Sequence, residues 1–338
     1  MRLVTAFLRL VRWPNLVFIV LTQALFYYCI IVPLLNGPYG NTVAAVNGSL
    51  PSELFFPAYC FWILVAASVC VAASGYIIND YFDLNIDLIN KPGKLVVDRI
   101  IKRRWAIMWH WIFSIAGVAL SIFAGYKLPG ISPWMLGLLN TGAVLLLIVY
   151  SVSLKKQLLT GNIAIAALSA WVIVILFFAT AKHYTTSEGI TYYLNKTRLF
   201  RFTIVYSVFA FITTLVREAI KDLEDMEGDA RNGCKTMPVV WGINPSKVYT
   251  GVWIVVLEGL LLALQFYTWR FGWYFGVIYV LVALMLPLLY LLSELRKAIT
   301  PPHYHRLSTI TKLIMLGGIL SMLFFLFYTK YPIPVIQQ

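Results

Sequence analysis

The sequence predicts an all-α, polytopic membrane protein with about nine transmembrane helices around a central cavity open to the cytoplasmic side. Three observations carry that expectation. First, the 338 residues are 60% hydrophobic and only 12% charged, about half the charge of an ordinary soluble domain, and the mean hydropathy is +0.80. Second, apolar runs of lipid-spanning length recur along the chain. Third, ten of the fourteen acidic residues fall in two short stretches, 80–98 and 218–229, where apolar runs end.

Taken in order, the spans are 13–35, 54–78, 105–126, 133–152, 160–181, 200–220, 247–267, 271–293 and 310–330. Each is long enough to cross ~30 Å of hydrocarbon, and backbone polar groups must pair within the segment there, so each is read as a helix. The basic start followed by a long apolar run without a small-residue cleavage pattern reads as a first membrane helix, not a signal peptide. Short connections after 126 and 267 predict antiparallel hairpins. The segments 36–53, 182–201 and 294–309 are read as loops.

Twenty-seven Lys and Arg set the net charge of +13. With the N-terminus inside, 20 fall on the cytoplasmic side and 7 outside, as cytoplasmic loops of membrane proteins require. The exception is an outer loop with Lys182, Lys196, Arg198 and Arg201. Topology explains the basic balance, and no nucleic-acid motif is present, so no nucleic acid is expected. Cys29, Cys60 and Cys70 lie in apolar segments and Cys234 in a charged loop, without a CxxC pattern or disulfide framework. Asn47-Gly48-Ser49 fits a glycosylation sequon by chance.

The second span runs into GYIINDYFDLNIDLINKPGK, residues 75–94. On a helix Asn79, Asp80, Asp83 and Asp87 fall at about 0°, 100°, 40° and 80°, in one arc. Carboxylates so placed repel one another unless cations lie between them. Hard oxygen donors of this kind suit Mg²⁺, usually held by a few carboxylates together with substrate phosphates.

The sixth span ends in REAIKDLEDMEGDARNGCKTMP, residues 217–238, with the same +3, +4 spacing. Counted from Arg217, Asp222, Asp225 and Asp229 lie at about 140°, 80° and 120°, and Glu224 and Glu227 on the far side at about 340° and 280°. That separates expected ligands from expected solvated charges if the helix continues to Gly228. Two facing acidic helix ends would make a diphosphate–metal site. Each motif has a basic tail, Lys91, Lys94 and Arg99 in one and Arg231 and Lys235 in the other.

These motifs resemble those of the UbiA-type intramembrane prenyltransferases, over nearly the whole chain. KDLEDMEGD, residues 221–229, is most similar to the branch that makes digeranylgeranylglyceryl phosphate. By resemblance Asn79, Asp83, Asp87, Asp225 and Asp229 match the metal ligands, the four aspartates being the catalytic set. Asp80 and Asp222 are read as further ligands or as groups that orient them. The resemblance implies one transmembrane prenyltransferase domain over 1–338, with Mg²⁺ as cofactor. It implies transfer of a prenyl group from an isoprenyl diphosphate to a lipid-like acceptor, in a bacterial or archaeal cell membrane and with no obligate protein partner. Prenylation of a quinone precursor such as 4-hydroxybenzoate or a naphthoate is the alternative acceptor reading. An ion-coupled transporter is the more distant one, disfavoured because the acids sit at helix ends on one side.

Lys94, Arg99, Lys155, Arg217 and Lys221 are candidate clamps for the leaving diphosphate, whose growing charge fixed cations stabilise. Lys155 stands in Tyr150-Ser151-x-x-Leu154-Lys155, which resembles a family motif, whereas Lys94 and Asp98 depart from the family's usual residues. Arg12 and Asn15 resemble its first-helix pattern near the acceptor end. Asn15 and Asn162, each following a basic residue at the start of spans 1 and 5, suggest two related four-helix halves plus a ninth helix. Tyr76, Phe82 and Tyr150 are candidates for stabilising an allylic cation through their ring faces. His303 and His305 are read as loop surface residues beside Arg306, and His110 as a packing residue.

Overall fold

The computed structural model describes residues 2–36, 42–43, 55–84, 86, 88, 96–181, 183–185, 191–194 and 196–330. Among them, nine helices are long and apolar enough to cross a membrane. A short amphipathic helix, α1 (Arg2–Leu10), precedes them. The nine are α2 (Trp13–Leu35), α3 (Ala58–Phe82), α4 (Arg103–Lys127), α5 (Pro133–Val152), α6 (Thr160–Ala179), α7 (Thr197–Arg231), α9 (Ile243–Trp269), α10 (Tyr274–Lys297) and α11 (Pro301–Thr329); the short α8 (Met237–Trp241) leads into α9. The expected all-α membrane fold is present. A feature missed from sequence is a small antiparallel sheet in the segments read as loops, with β1 (Thr42–Val43) and β2 (His183–Thr185) both paired to β3 (Thr191–Leu194).

Several boundaries differ from the hydropathy reading. The third helix begins at Ala58 rather than 54 and runs to Phe82, because Asn79 and Asp80 continue the helix where hydropathy falls. The seventh has 35 residues, about 52 Å at 1.5 Å per residue. It overshoots ~30 Å of hydrocarbon, leaving room for its acidic end beyond the lipid. The last begins at Pro301, since proline fits the first helical turn, where its missing N–H costs nothing. His303 and His305 therefore lie on a helix, not in a loop.

Two helices contain a stretch of wider turn, Phe26–Ile31 and Leu281–Met285. Each lies just before a proline, Pro33 and Pro287. Proline cannot donate to the carbonyl four residues back, and a local change to wider turns re-pairs freed backbone groups inside lipid.

The chain forms two compact units, Met1–Leu154 with Trp171–Thr203, and Lys155–Ala170 with Ile204–Gln338. The boundaries cut α6 and α7, so the units are not the four-helix halves suggested by the repeated asparagines. In the first unit α3 packs on α4 at Gly117, where an added Cβ would come 2.7 Å from Val71 Cγ2 and 3.1 Å from the Ala67 carbonyl. Small residues permit such close approach between membrane helices. Polar ties lock the bundle: Gln23 Nε2 donates to Ser68 Oγ and to the Val172 carbonyl, and Asn140 Nδ2 donates to Ser121 Oγ. His110 is buried against the Ser74 carbonyl, a packing role. Lys196 donates to the Phe177 and Thr180 carbonyls at 2.7 Å, closing the end of α6. That gives one cation of the loop read as outer a local use.

In the second unit Ile212, Val216, Ile220 and Leu223 of α7 share a core with Ile254, Leu257 and Leu261 of α9 and with Leu288, Leu291, Tyr304 and Ile314. This packing turns the apolar face of α7 inward and fixes the direction in which its aspartates project.

Candidate active site

In the first unit the site is built where α3 ends. Asp83 follows the last helical residue and still closes a helical turn, its N–H donating to the Asn79 carbonyl at 2.9 Å. The Asn79 side chain answers with Nδ2 donating to Asp83 Oδ2 at 2.6 Å. Asn79 Oδ1 is left buried without a hydrogen-bond partner. Asn79 and Asp83 are therefore brought together as the spacing predicts, but by a helix terminus rather than an unbroken helical face. Asp87 and Lys94 lie outside the described residues.

Asp80 is already engaged. Arg12 sits between α1 and α2 with φ 51°, in the left-handed region. The kink swings its guanidinium 5.2 Å from the Tyr76 ring centroid and brings Nη2 2.7 Å from Asp80 Oδ1. Burial works against the guanidinium charge, but Asp80, Tyr76 and Asp83 outweigh it and raise the Arg12 pKa above its ordinary value. Asn15 is half-buried one turn into α2, Arg99 is exposed in the turn before α4, and Phe82 is exposed.

In the second unit α7 carries its motif past Gly228 to Arg231 without a break. Asn162 Nδ2 of α6 donates to Asp222 Oδ2 at 2.8 Å. Asp229, only 8% exposed, accepts from Thr236 Oγ1 at 3.1 Å. The turn after it is pinned by the Lys235 N–H donating to the Lys156 carbonyl at 2.8 Å. Lys155 is half-buried on the Leu154–Lys156 turn beside that anchor, and Asp225 is half-buried, as is Tyr150 in the first unit.

The far-side residues behave unequally. Glu227, with its side chain 71% exposed, pairs with Arg231 and is solvated as expected. Glu224 is not: its side chain is largely covered and accepts from His305 at 2.9 Å, because α11 starts early enough to bring that histidine to it. Arg217 and Lys221 are not isolated clamps. Both pair with Glu218, at 2.7 Å and 3.2 Å. Sequence reasoning missed Glu218 as their counter-ion, and missed Asn162 and Thr236 as partners of the motif. Glu218 stands four residues before Asp222 on the same face, which was the one available clue.

The donors at both helix ends are amide and carboxylate oxygens, a set that suits a hard divalent cation. Among the described residues no three His, Cys, Asp or Glu side chains gather closely enough to hold a metal by themselves. Nine lipid-length helices, with carboxylates concentrated at the ends of two of them, define a multi-pass integral membrane protein. More narrowly, the chain belongs to the UbiA prenyltransferase family, whose model matches residues 39–310, and it is a prenyltransferase. It is 34% identical over 232 residues to the digeranylgeranylglyceryl phosphate synthase of Sulfurisphaera tokodaii, covering 69% of this chain and 73% of that one. To the synthase of the same name from Methanothermobacter thermautotrophicus it is 33% identical over 218 residues, 64% of this chain and 69% of the other. Among solved structures, a UbiA homologue from Aeropyrum pernix K1 shares the fold with a TM-score of 0.58 at 15% identity, covering 90% of this chain and 98% of that one. A UbiA homologue from Archaeoglobus fulgidus, solved with DMAPP and Mg²⁺, gives 0.54 at 14% identity, covering 94% and 98%.

Proposed function

We propose that this prenyltransferase transfers a geranylgeranyl group from geranylgeranyl diphosphate to the hydroxyl of geranylgeranylglyceryl phosphate. The observation that carries the acceptor is the similarity to the Sulfurisphaera tokodaii synthase over two thirds of the chain. The stretch KDLEDMEGD at 221–229 supports it. In this reading both acidic motifs act on one diphosphate and open to the cytoplasm.

The residues fit Mg²⁺. Asn79 Oδ1 is a buried oxygen acceptor with no hydrogen-bond partner, and an unpaired buried acceptor is costly unless something binds it. Asn79, Asp83 and Asp87 would hold one ion and Asp225 and Asp229 another, with phosphate oxygens completing each shell. Bound there, Mg²⁺ supplies charge neutralisation to the departing diphosphate. The protein's own part is positioning. Arg12 and Asn162 fix Asp80 and Asp222, and Lys155 and Arg99 are placed in the reading to meet the anion. The bond between the allylic carbon and the diphosphate oxygen breaks, the acceptor hydroxyl oxygen forms a bond to that carbon, and the hydroxyl proton passes to the released diphosphate. In this reading water must be kept from the allylic carbon, since it would otherwise capture the allylic cation.

The test incubates the full chain in vesicles with Mg²⁺, geranylgeranyl diphosphate and either the glyceryl phosphate lipid or 4-hydroxybenzoate, with products read by mass spectrometry. The expected product is the glycerol ether. Prenylation of the ring and none of the glycerol hydroxyl would overturn the acceptor while leaving the family intact.

A further inference from the structure

The helix α1 has nine residues, about 13 Å at 1.5 Å per residue, too short to cross ~30 Å of hydrocarbon. Its inner side belongs to the first acidic motif. Ala6 and Leu10 are buried in one core with Ala73 and Ile77, which lead into the motif, and with Val96, Val97 and Ile101, which follow it. Tyr81 and Leu84, inside the motif, pack against the same core. Just beyond α1, Arg12 meets Asp80.

An adjoining side of α1 is open. Leu3 and Val4 are 69% and 65% exposed, and Leu8 is exposed as well. Counted from Leu3, these three cover an arc from 0° to about 140°, Ala6 and Leu10 lie at about 300° and 340°, and Thr5 and Arg9 at about 200° and 240°. Exposed Trp13 and Trp105 mark the depth, since tryptophan collects at the headgroup level, and the Phe7 ring lies 5.3 Å from Trp109, one turn from Trp105. Ile101 and Ala106 share the α1 core and flank Lys102–Trp105, so the cations at the head of α4 lie beside α1. Among the described residues of α1 and of 96–105, the exposed charges are Arg9, Arg99, Lys102, Arg103 and Arg104 against Asp98. An apolar strip at headgroup depth with cations at its rim fits an anionic lipid surface. A two-fold contact with a second copy would set these cations against their own counterparts.

We propose that α1 docks through Leu3, Val4 and Leu8 on the anionic headgroup layer of the leaflet at which the first motif ends, with Arg9, Lys102 and Arg104 on the lipid phosphates, and that this docking holds the motif in its working form. The coupling is built into the core: the residues that anchor α1 from within are those that bracket the aspartates, so seating α1 on the leaflet steadies Asp80 and the segment from Val96 to Ile101. Turnover therefore depends on anionic lipid. The site is a lipid-binding surface outside the substrate cavity, and none of its three cations belongs to the candidate active site.

The experiment places the full chain in vesicles of phosphatidylcholine alone or of phosphatidylcholine with phosphatidylglycerol. An environment-sensitive fluorophore on Val4→Cys reports docking without any substrate, through quenching by a nitroxide lipid. Quenching is expected to rise about threefold or more with phosphatidylglycerol, and the triple variant Arg9→Gln, Lys102→Gln, Arg104→Gln should lose that rise. Turnover of wild type should be about fivefold or more higher with phosphatidylglycerol, whereas the triple variant should match wild type in phosphatidylcholine and gain less than about twofold. Wild type and variant meet the same local Mg²⁺ and substrate in each vesicle, so their difference isolates the protein's own contact. If the triple variant does not accumulate as folded protein, Val4→Ser with Leu8→Ser, two exposed positions outside the core, must lose the same stimulation, with the label moved to Leu3→Cys. Equal stimulation of wild type and variants, or quenching indifferent to phosphatidylglycerol, overturns the proposal. Label burial that follows the protein-to-lipid ratio instead would give this face to a second copy and overturn it as well. Absence of product with the glyceryl phosphate lipid would overturn the acceptor reading, while the label still decides the docking.

Discussion

Asn162 Nδ2 donates to Asp222 Oδ2 at 2.8 Å across sixty residues of chain, and Arg12 Nη2 meets Asp80 Oδ1 at 2.7 Å across sixty-eight. Asp80 and Asp222 are the first aspartates of two identically spaced runs. Each is held by a residue at the start of a preceding helix, a cation in one case and an amide in the other. Groups that orient ligands in this way need not bind the metal themselves.

Removing either tie should therefore cost turnover without abolishing it. Asn162→Ala and Arg12→Lys are expected to lower kcat by about 10- to 100-fold. Lysine keeps the charge of Arg12 but loses the planar fork. The measurement is product formation by purified full-length variants at saturating substrates. Wild-type turnover in both would show that these contacts only pack the helices.

Asp225 and Glu227 separate the ligand face from the solvated one. Asp225→Asn removes an anion with little change in volume, and turnover is expected to fall by orders of magnitude while the protein still inserts and folds. Glu227 is exposed and its partner Arg231 likewise, a pairing that contributes ~0–1 kcal/mol. Glu227→Gln should stay close to wild type. Equal damage from both would sink the assignment of faces.

The nine helices were legible because lipid imposes one length and one solvent on every span. Where other forces decide, the reading slipped. Hydropathy alone ends the second span at 78, whereas the motif spacing rightly carries the helix through Asn79 and Asp80; neither signal shows that Pro301 and Pro302 open a helix rather than break one, so His305 falls in a segment read as a loop. The aspartate spacing announced the motifs at Asp80 and Asp222. Their partners sit sixty or more residues away, beyond any local pattern. Glu218 shows a different failure: its place on the motif face follows from the same helical spacing, but Arg217 and Lys221 are read as diphosphate clamps and their counter-ion is given no part.

Gly117 tests the packing of the first unit. A side chain there would press on Val71 and on the backbone of Ala67, which cannot give way as a flexible tip can. Gly117→Ala is expected to destabilise the protein by about 1–3 kcal/mol through overpacking, seen as a lower Tm in detergent. Gly142 on α5 has nothing within 4 Å of an added Cβ. Gly142→Ala should be neutral or slightly stabilising, since alanine is the better helix former. A Gly117→Ala protein as stable as Gly142→Ala would show that α3 and α4 do not meet this closely.

Orientation can be tested on exposed positions with little background. Cys29, Cys60 and Cys234 are buried and Cys70 is half-buried, so an impermeant thiol reagent should leave the native chain nearly unlabelled in sealed vesicles. Arg99 precedes α4 and Arg231 ends α7, whereas Lys127 ends α4 and Arg270 follows α9; all four are exposed. Cysteines at positions 99 and 231 should react only from the cytoplasmic side, and cysteines at 127 and 270 only from the other. The physical basis is the excess of Lys and Arg in the segments assigned inside. Labelling that is reversed at all four positions would invert the protein but keep its motifs on one side. Labelling of 99 and 231 from opposite sides would end the proposal that the two acidic motifs share a diphosphate, because a bilayer would stand between them.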